Sequence, residues 1–127
     1  MAGTRIDRRN IQILLRPGFS LVTLAGMIDP LRLANELLDA DFYSWSLLSS
    51  DGCAVEAANG VPVGKTEALA DSQRPNFLLV CAGDTDFDPL PGPDAAILRA
   101  WARQGSRLGA IGSAVHQLAG ARSEEHT

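Results

Sequence analysis

Apolar residues occur in short runs that glycine, proline and small polar clusters interrupt. Residues 11–15 (IQILL) are nearly all apolar and stop at Arg16-Pro17-Gly18. That pattern predicts a buried strand entering a turn. Ser20 then offers a hydroxyl oxygen to cap a helix. Leu21, Leu24, Ile28, Leu31 and Asn35 follow at spacings of three or four, so they share one helix face. Pro30 falls inside this helix and is expected to kink it, because it lacks an N–H and crowds the preceding turn.

Residues 43–49 (YSWSLLS) read as a second strand stopped by Ser50-Asp51-Gly52. Residues 54–57 and 61–63 flank Asn59-Gly60, a hairpin signal. Residues 66–70 read as one helical turn. Residues 77–81 (FLLVC) are apolar throughout, as a strand covered on both faces must be. The proline-rich stretch 84–93 is a loop, after which Asp94 is expected to cap a helix striped by Ile97, Leu98 and Trp101 and ended by Gly105. A short strand at 108–111 turns at Gly112-Ser113 into a last helix over 114–121. The alternation predicts an α/β fold: a mostly parallel, doubly wound sheet flanked by helices, flavodoxin-like in layout. Such sheets bind ligands at the carboxyl ends of their strands. Here those ends are residues 16–20, 82–84 and 112–114.

A chain of 127 residues with 46% hydrophobic and 20% charged residues is one ordinary domain. A net charge of -4 opposes binding to a phosphate backbone, and Arg5, Arg8 and Arg9 form the one tight basic cluster. The two cysteines, Cys53 and Cys81, show no metal-ligand spacing, and Cys81 reads as a small buried hydrophobe. No leader or apolar run of ~18 residues is present, so the expected compartment is the cytoplasm, without membrane contact. Residues 1–9 read as a flexible N-terminus and 10–122 as the domain. The polar tail 123–127 follows a short helix, which reads as a domain cut short at its carboxyl end or ending in non-native residues.

The combination Leu15-Arg16-Pro17-Gly18-Phe19-Ser20, Asp29-Pro30-Leu31-Arg32-Leu33-Ala34-Asn35, Ser49-Ser50-Asp51-Gly52, Ala58-Asn59-Gly60, Leu78-Leu79-Val80-Cys81-Ala82-Gly83 and Leu118-Ala119 resembles the N-terminal domain of GlxA-family regulators. These are AraC-type transcription regulators whose sensor domain is PfpI-like, that is, like class I glutamine amidotransferases. The resemblance covers roughly residues 10 to 121. It implies a ligand-sensing and dimerising domain whose ligand is a small metabolite, an amino acid or quaternary amine. It implies a homodimer, and DNA contact only through a C-terminal helix-turn-helix domain that this chain does not contain. No cofactor is implied.

The alternative is a PfpI-like hydrolase or amidotransferase with an altered active site. In enzyme relatives a cysteine occupies the turn after the strand matching 108–111. Gly112 stands there instead, and Phe19-Ser20 replaces the acid that tunes the cysteine. No catalytic residue is therefore assigned. Ser113 would need a base within reach, and His116 three residues on has no acid to orient it. The ligand-binding residues expected from this reading are Phe19, Ser20, Ala82, Gly83, Asp84, Gly112, Ser113 and Ala114. Asp86 and Asp88, separated by Phe87, are too few ligands for a metal. Arg32, Asn35, Trp45 and Trp101 read as structural.

Overall fold

A computed structural model of the chain describes residues 8–84 and 88–123. Arg5, Asp86 and Phe87 lie outside the described residues, as do positions 1–7 and 124–127. Five strands form one parallel sheet: β1 (Arg9–Leu15), β2 (Tyr43–Ser49), β5 (Thr66–Ala68), β6 (Phe77–Cys81) and β7 (Arg107–Ile111), in the order β5-β2-β1-β6-β7. The hairpin β3 (Val55–Glu56) and β4 (Pro62–Val63) stands apart, and Gly60 turns it with φ +86°. Among the described residues, three α-helices flank the sheet: α1 (Leu21–Leu38), α2 (Gly92–Arg103) and α3 (Ala114–Ser123).

Side-chain alternation sorts the core onto the two faces of the sheet. Leu14, Leu48, Leu78 and Val80 pack with Leu98, Trp101 and Leu118 from α2 and α3. Ile11, Ile13, Leu15 and Cys81 pack on the other side with Leu24 of α1 and with Val55 and Ala57 of the hairpin region. Both faces being covered, β1 and β6 read as unbroken apolar runs rather than alternating ones. Strand succession reverses at β1, whose neighbours are β2 on one side and β6 on the other. A crevice opens at such a reversal, outside the strands' carboxyl ends.

Local chemistry explains the element ends. Ser20 caps α1, its Oγ accepting the Thr23 N–H at 3.3 Å. The helix runs on through Pro30 as a single element. Asn35, at its last turn, donates to the Tyr43 carbonyl and accepts the Tyr43 N–H, both at 2.9 Å. One side chain thereby seats the helix on the start of β2. Gly105, with φ +106°, follows the end of α2.

Two expectations are corrected. Residues 66–70 do not form a helical turn from Thr66. Thr66–Ala68 extends the sheet as β5, paired with Leu47, Leu48 and Ser49, and the turn comes later as a 3-10 segment over Leu69–Asp71. Thr66 Oγ1 donates to the carbonyls of Gly52 and Cys53 at 3.0 and 2.9 Å, fixing the strand to the β2 turn. Asp94 is not the cap of α2, which begins at Gly92 after Pro91. Proline at the second helical position needs no N–H partner, so the helix starts three residues early. Asp94 instead sits buried in the first turn, its carboxylate accepting the hydroxyl of Ser50.

Candidate functional site

The carboxyl ends of β1, β6 and β7 are locked by close backbone approaches. A Cβ on Gly83 would land on the carbonyl oxygen of Gly18, and one on Gly112 on that of Ala82. Gly112 also has φ +70°, a region costly for any other residue. Ser113 donates both its hydroxyl and its N–H, the latter at 3.2 Å, to the Gly83 carbonyl. The Arg16 N–H reaches the Cys81 carbonyl at 2.9 Å. The hairpin joins the same assembly, because Gly18 donates to Glu56 O at 2.9 Å and Ala58 to Phe19 O at 2.8 Å.

The structure therefore brings Ala82, Gly83, Gly112 and Ser113 into direct contact, with Ala114 buried beside Ala82 in the same core cluster. Phe19 joins through the Gly18 approach, but its ring is wholly buried in the α1-side core. The hydroxyl of Ser20 is committed to the helix cap. Asp84 is exposed at the rim.

The open space lies on the β2 side of these residues. A cleft of about 430 Å³ is lined by Arg16, Pro17, Ser49, Asp51, Val55 and Glu56, among others. Arg16 is buried to 9% exposure, although it carries a full charge. Asp51 accepts the Cys53 N–H at 2.9 Å, and that bond holds its carboxyl below the usual carboxylate range. A cation and two carboxylates thus line one cleft. The sequence reading missed this group because Arg16 and Asp51 look like turn punctuation. A charged residue directly at the end of an apolar strand beside a strand-order reversal was the available signal.

Among the described residues no hydroxyl or thiol is paired with a base as a nucleophile. The single proton of the Ser113 hydroxyl points at Gly83 O, and His116 lines a separate small cleft between α2 and α3 with Leu90, Ala95 and Gln117. Cys81 is fully buried, and desolvation pushes its thiol up to about 11, away from the reactive thiolate. Among the described residues no three metal-ligating side chains gather, and no helix is long and apolar enough to cross a membrane.

The described residues thus form a parallel α/β sheet whose strand ends at Gly83 and Gly112 are packed backbone to backbone. In comparison with known proteins, the chain's homologues are HTH-type, AraC-family transcriptional regulators. It is 41% identical over 112 residues to the regulator CdhR of Pseudomonas aeruginosa, covering 84% of this chain and 32% of that protein. It is 34% identical over 103 residues to GbdR of the same species, covering 81% and 28%. A crystal structure of an AraC family regulator from Pseudomonas putida superposes with a TM-score of 0.68 at 31% identity, over 80% of this chain and 55% of that one. A regulator structure from Vibrio parahaemolyticus, at 17% identity and TM-score 0.70, shares the fold. No protein-family model matches the chain. The chain spans about a third of the length of the curated relatives it matches.

Proposed function

We propose that this chain is the ligand-sensing and dimerising domain of an AraC-type transcription regulator, working in the cytoplasm and without catalytic activity. The observation that carries the reading is the substitution of the nucleophile position by Gly112, in a turn where a Cβ would strike the Ala82 carbonyl. The similarity to CdhR and GbdR supports it over a hydrolase or amidotransferase. DNA would be bound by a helix-turn-helix domain outside this chain, since a net charge of -4 suits a phosphate backbone poorly.

The ligand is a small zwitterion, an amino acid or quaternary amine. Its anionic group would meet Arg16 and the backbone around Gly83, Gly112 and Ala114, while its cation would face Asp51 or Glu56. Phe19, Ser20, Ala82, Asp84 and Ser113, which do not line the Arg16 cleft itself, would support it from the adjoining turns. Melting should be measured with amino acids, betaines and carnitine-like compounds. A ligand at ~100 times its Kd raises stability by about 2.7 kcal/mol, a shift of several degrees. Arg16→Gln and Gly112→Val should each weaken binding at a temperature where the variant is folded. Unchanged affinity in both moves the site elsewhere. Turnover of ester, glutamine or 2-oxoaldehyde substrates would restore the enzyme reading.

The homodimer would form through α1. Val22, Leu33 and Leu37 are exposed on the face opposite the core, and Gly26 leaves open space between them. This stripe is palindromic about the 29–30 bond, so an antiparallel second copy sets Val22 against Leu37 and Gly26 against Leu33. Sedimentation should show a dimer that Leu37→Glu returns to monomer. A monomer at all concentrations, or an unaffected dimer, rejects this face.

A further inference from the structure

The amino edge of the sheet, opposite the crevice, carries a second concavity. Arg9, Ile11, Tyr43, Asn76, Phe77 and Arg107 line a cleft of about 430 Å³ where the strands begin. The register explains how these residues converge. Arg9 is paired with Tyr43, Ile11 with Phe77, and Phe77 with Arg107. Paired residues of a parallel ladder point to the same face, and Arg9 shares the face of Ile11 two positions on. All five side chains therefore rise from the α1 face. Roughly 4.8 Å between strands and 3.3 Å per residue put the Cα atoms of Arg9 and Arg107 about 12 Å apart. That is a gap two arginine side chains can close on one anion.

The local charge is not that of the whole chain. Arg8, Arg74 and Arg103 stand on the same edge, just before β1, just before β6 and at the end of α2. Five of the eleven basic residues thus gather at one end of a chain of net charge -4, so this end attracts anions that the rest repels. Among the described residues, the carboxylates Glu36, Asp39 and Asp41 line a separate hollow at the end of α1. Between Arg9 on β1 and Arg107 on β7 lies the ring of Phe77 on β6, and the ring of Tyr43 flanks Arg9 from β2, both half-buried. Phe77 and Leu79 also pack across Gly109, the two rings and that patch making an apolar wall. Guanidinium groups bind carboxylate or phosphate in a planar fork, and aromatic walls accept a flat apolar body.

We propose that this cleft binds a small organic anion, a phosphate or carboxylate carried on an aromatic or heterocyclic body. It is a site separate from the carboxyl-edge crevice and does not depend on the sensor reading. The test is an NMR titration of the full chain with phenyl phosphate, benzoate and inorganic phosphate. The expected result is that phenyl phosphate or benzoate shifts the amides of Arg9, Tyr43, Phe77 and Arg107 and leaves those of Gly83 and Gly112 in place. Inorganic phosphate should bind at least tenfold more weakly. Arg9→Gln with Arg107→Gln, both exposed and checked by melting, should cut affinity at least tenfold, whereas Lys65→Gln, just before the edge strand β5 and outside the cleft, should not. The relative strength of phenyl phosphate and benzoate identifies the preferred head group. The proposal is overturned if the shifts fall at the carboxyl edge, if the double variant binds like the parent, or if inorganic phosphate binds as tightly as phenyl phosphate. Duplex DNA binding more tightly than any small probe would also overturn it, since the edge would then be a polyanion surface.

Discussion

Single residues decide what the carboxyl edge can and cannot do. Gly83 and Gly112 let two strand ends approach backbone to backbone, and each is fixed by a carbonyl that a Cβ would meet. Gly112 was legible as a tight turn; the reason for Gly83 was not, because it depends on Gly18, a residue sixty-five positions away in sequence. Cys81 was legible as a buried hydrophobe at the end of an apolar run, and the structure buries it fully. Its thiol makes a pH prediction. Burial raises its ionisation from 9.0 to about 11, so the folded state keeps a proton that the unfolded chain releases. Stability conferred by the neutral thiol is full below pH 9 and falls as pH rises from about 9 to 11. The loss is on the order of 3 kcal/mol. Urea unfolding at pH 8 and pH 10.5 should show a fall that Cys81→Ala reduces. The same burial predicts that a thiol reagent at pH 8 modifies exposed Cys53 promptly and Cys81 only on unfolding. Equal labelling rates would contradict the burial.

At the scale of elements, the apolar runs predicted strands accurately in the interior of the sheet. Tyr43–Ser49 and Phe77–Cys81 match the sequence reading residue for residue. The strand at Thr66–Ala68 escaped it, because three residues with an exposed glutamate between them carry no periodic signal. Only its pairing with β2 makes it a strand. The start of α2 was misplaced for the opposite reason: Asp94 is a good capping residue in isolation, but Pro91 and Pro93 begin the helix earlier and the carboxylate turns inward to Ser50. Asn35, a polar residue on the apolar helix face, was legible as structural, and the structure gives it a backbone partner across elements. It satisfies both the N–H and the carbonyl of Tyr43. Asn35→Ala leaves two half-buried polar groups without this partner. The expected cost is about 1–3 kcal/mol, read as a lower urea midpoint with an unchanged slope. Asn35→Asp should restore the bond from the Tyr43 N–H and lose the one to its carbonyl, giving an intermediate loss. A loss below 0.5 kcal/mol for alanine, on the order of an ordinary surface change, would show that α1 is seated by its apolar face alone.

Across the whole molecule, layering and strand order distribute stability unevenly. β1 and β6 are paired on both edges and covered on both faces, whereas β5 is a three-residue edge strand and the β3–β4 hairpin is a two-residue ladder outside the sheet. Local opening follows the number of contacts that must break. Amide exchange is therefore expected to be slowest at Ile13, Leu14, Leu79 and Val80 and fastest in β5 and the hairpin. The hairpin is nevertheless tied to the β1 turn by the bonds from Gly18 to Glu56 and from Ala58 to Phe19. It also forms one wall of the Arg16 cleft through Val55 and Glu56. A zwitterion bound there would have to hold the hairpin closed, so its binding should slow exchange at Gly18, Val55 and Ala58 more than in the central strands. That pattern would supply a route from ligand to the rest of a regulator: ordering of a weakly held hairpin beside the first turn of α1, the helix proposed to face a second copy. Population shift of this kind requires the ligand to favour one state by its differential affinity alone. Exchange in the hairpin that is already as slow as in β6 without ligand would remove the mechanism. So would ligand protection confined to β7 and α3, which would place the binding energy on the far side of the crevice.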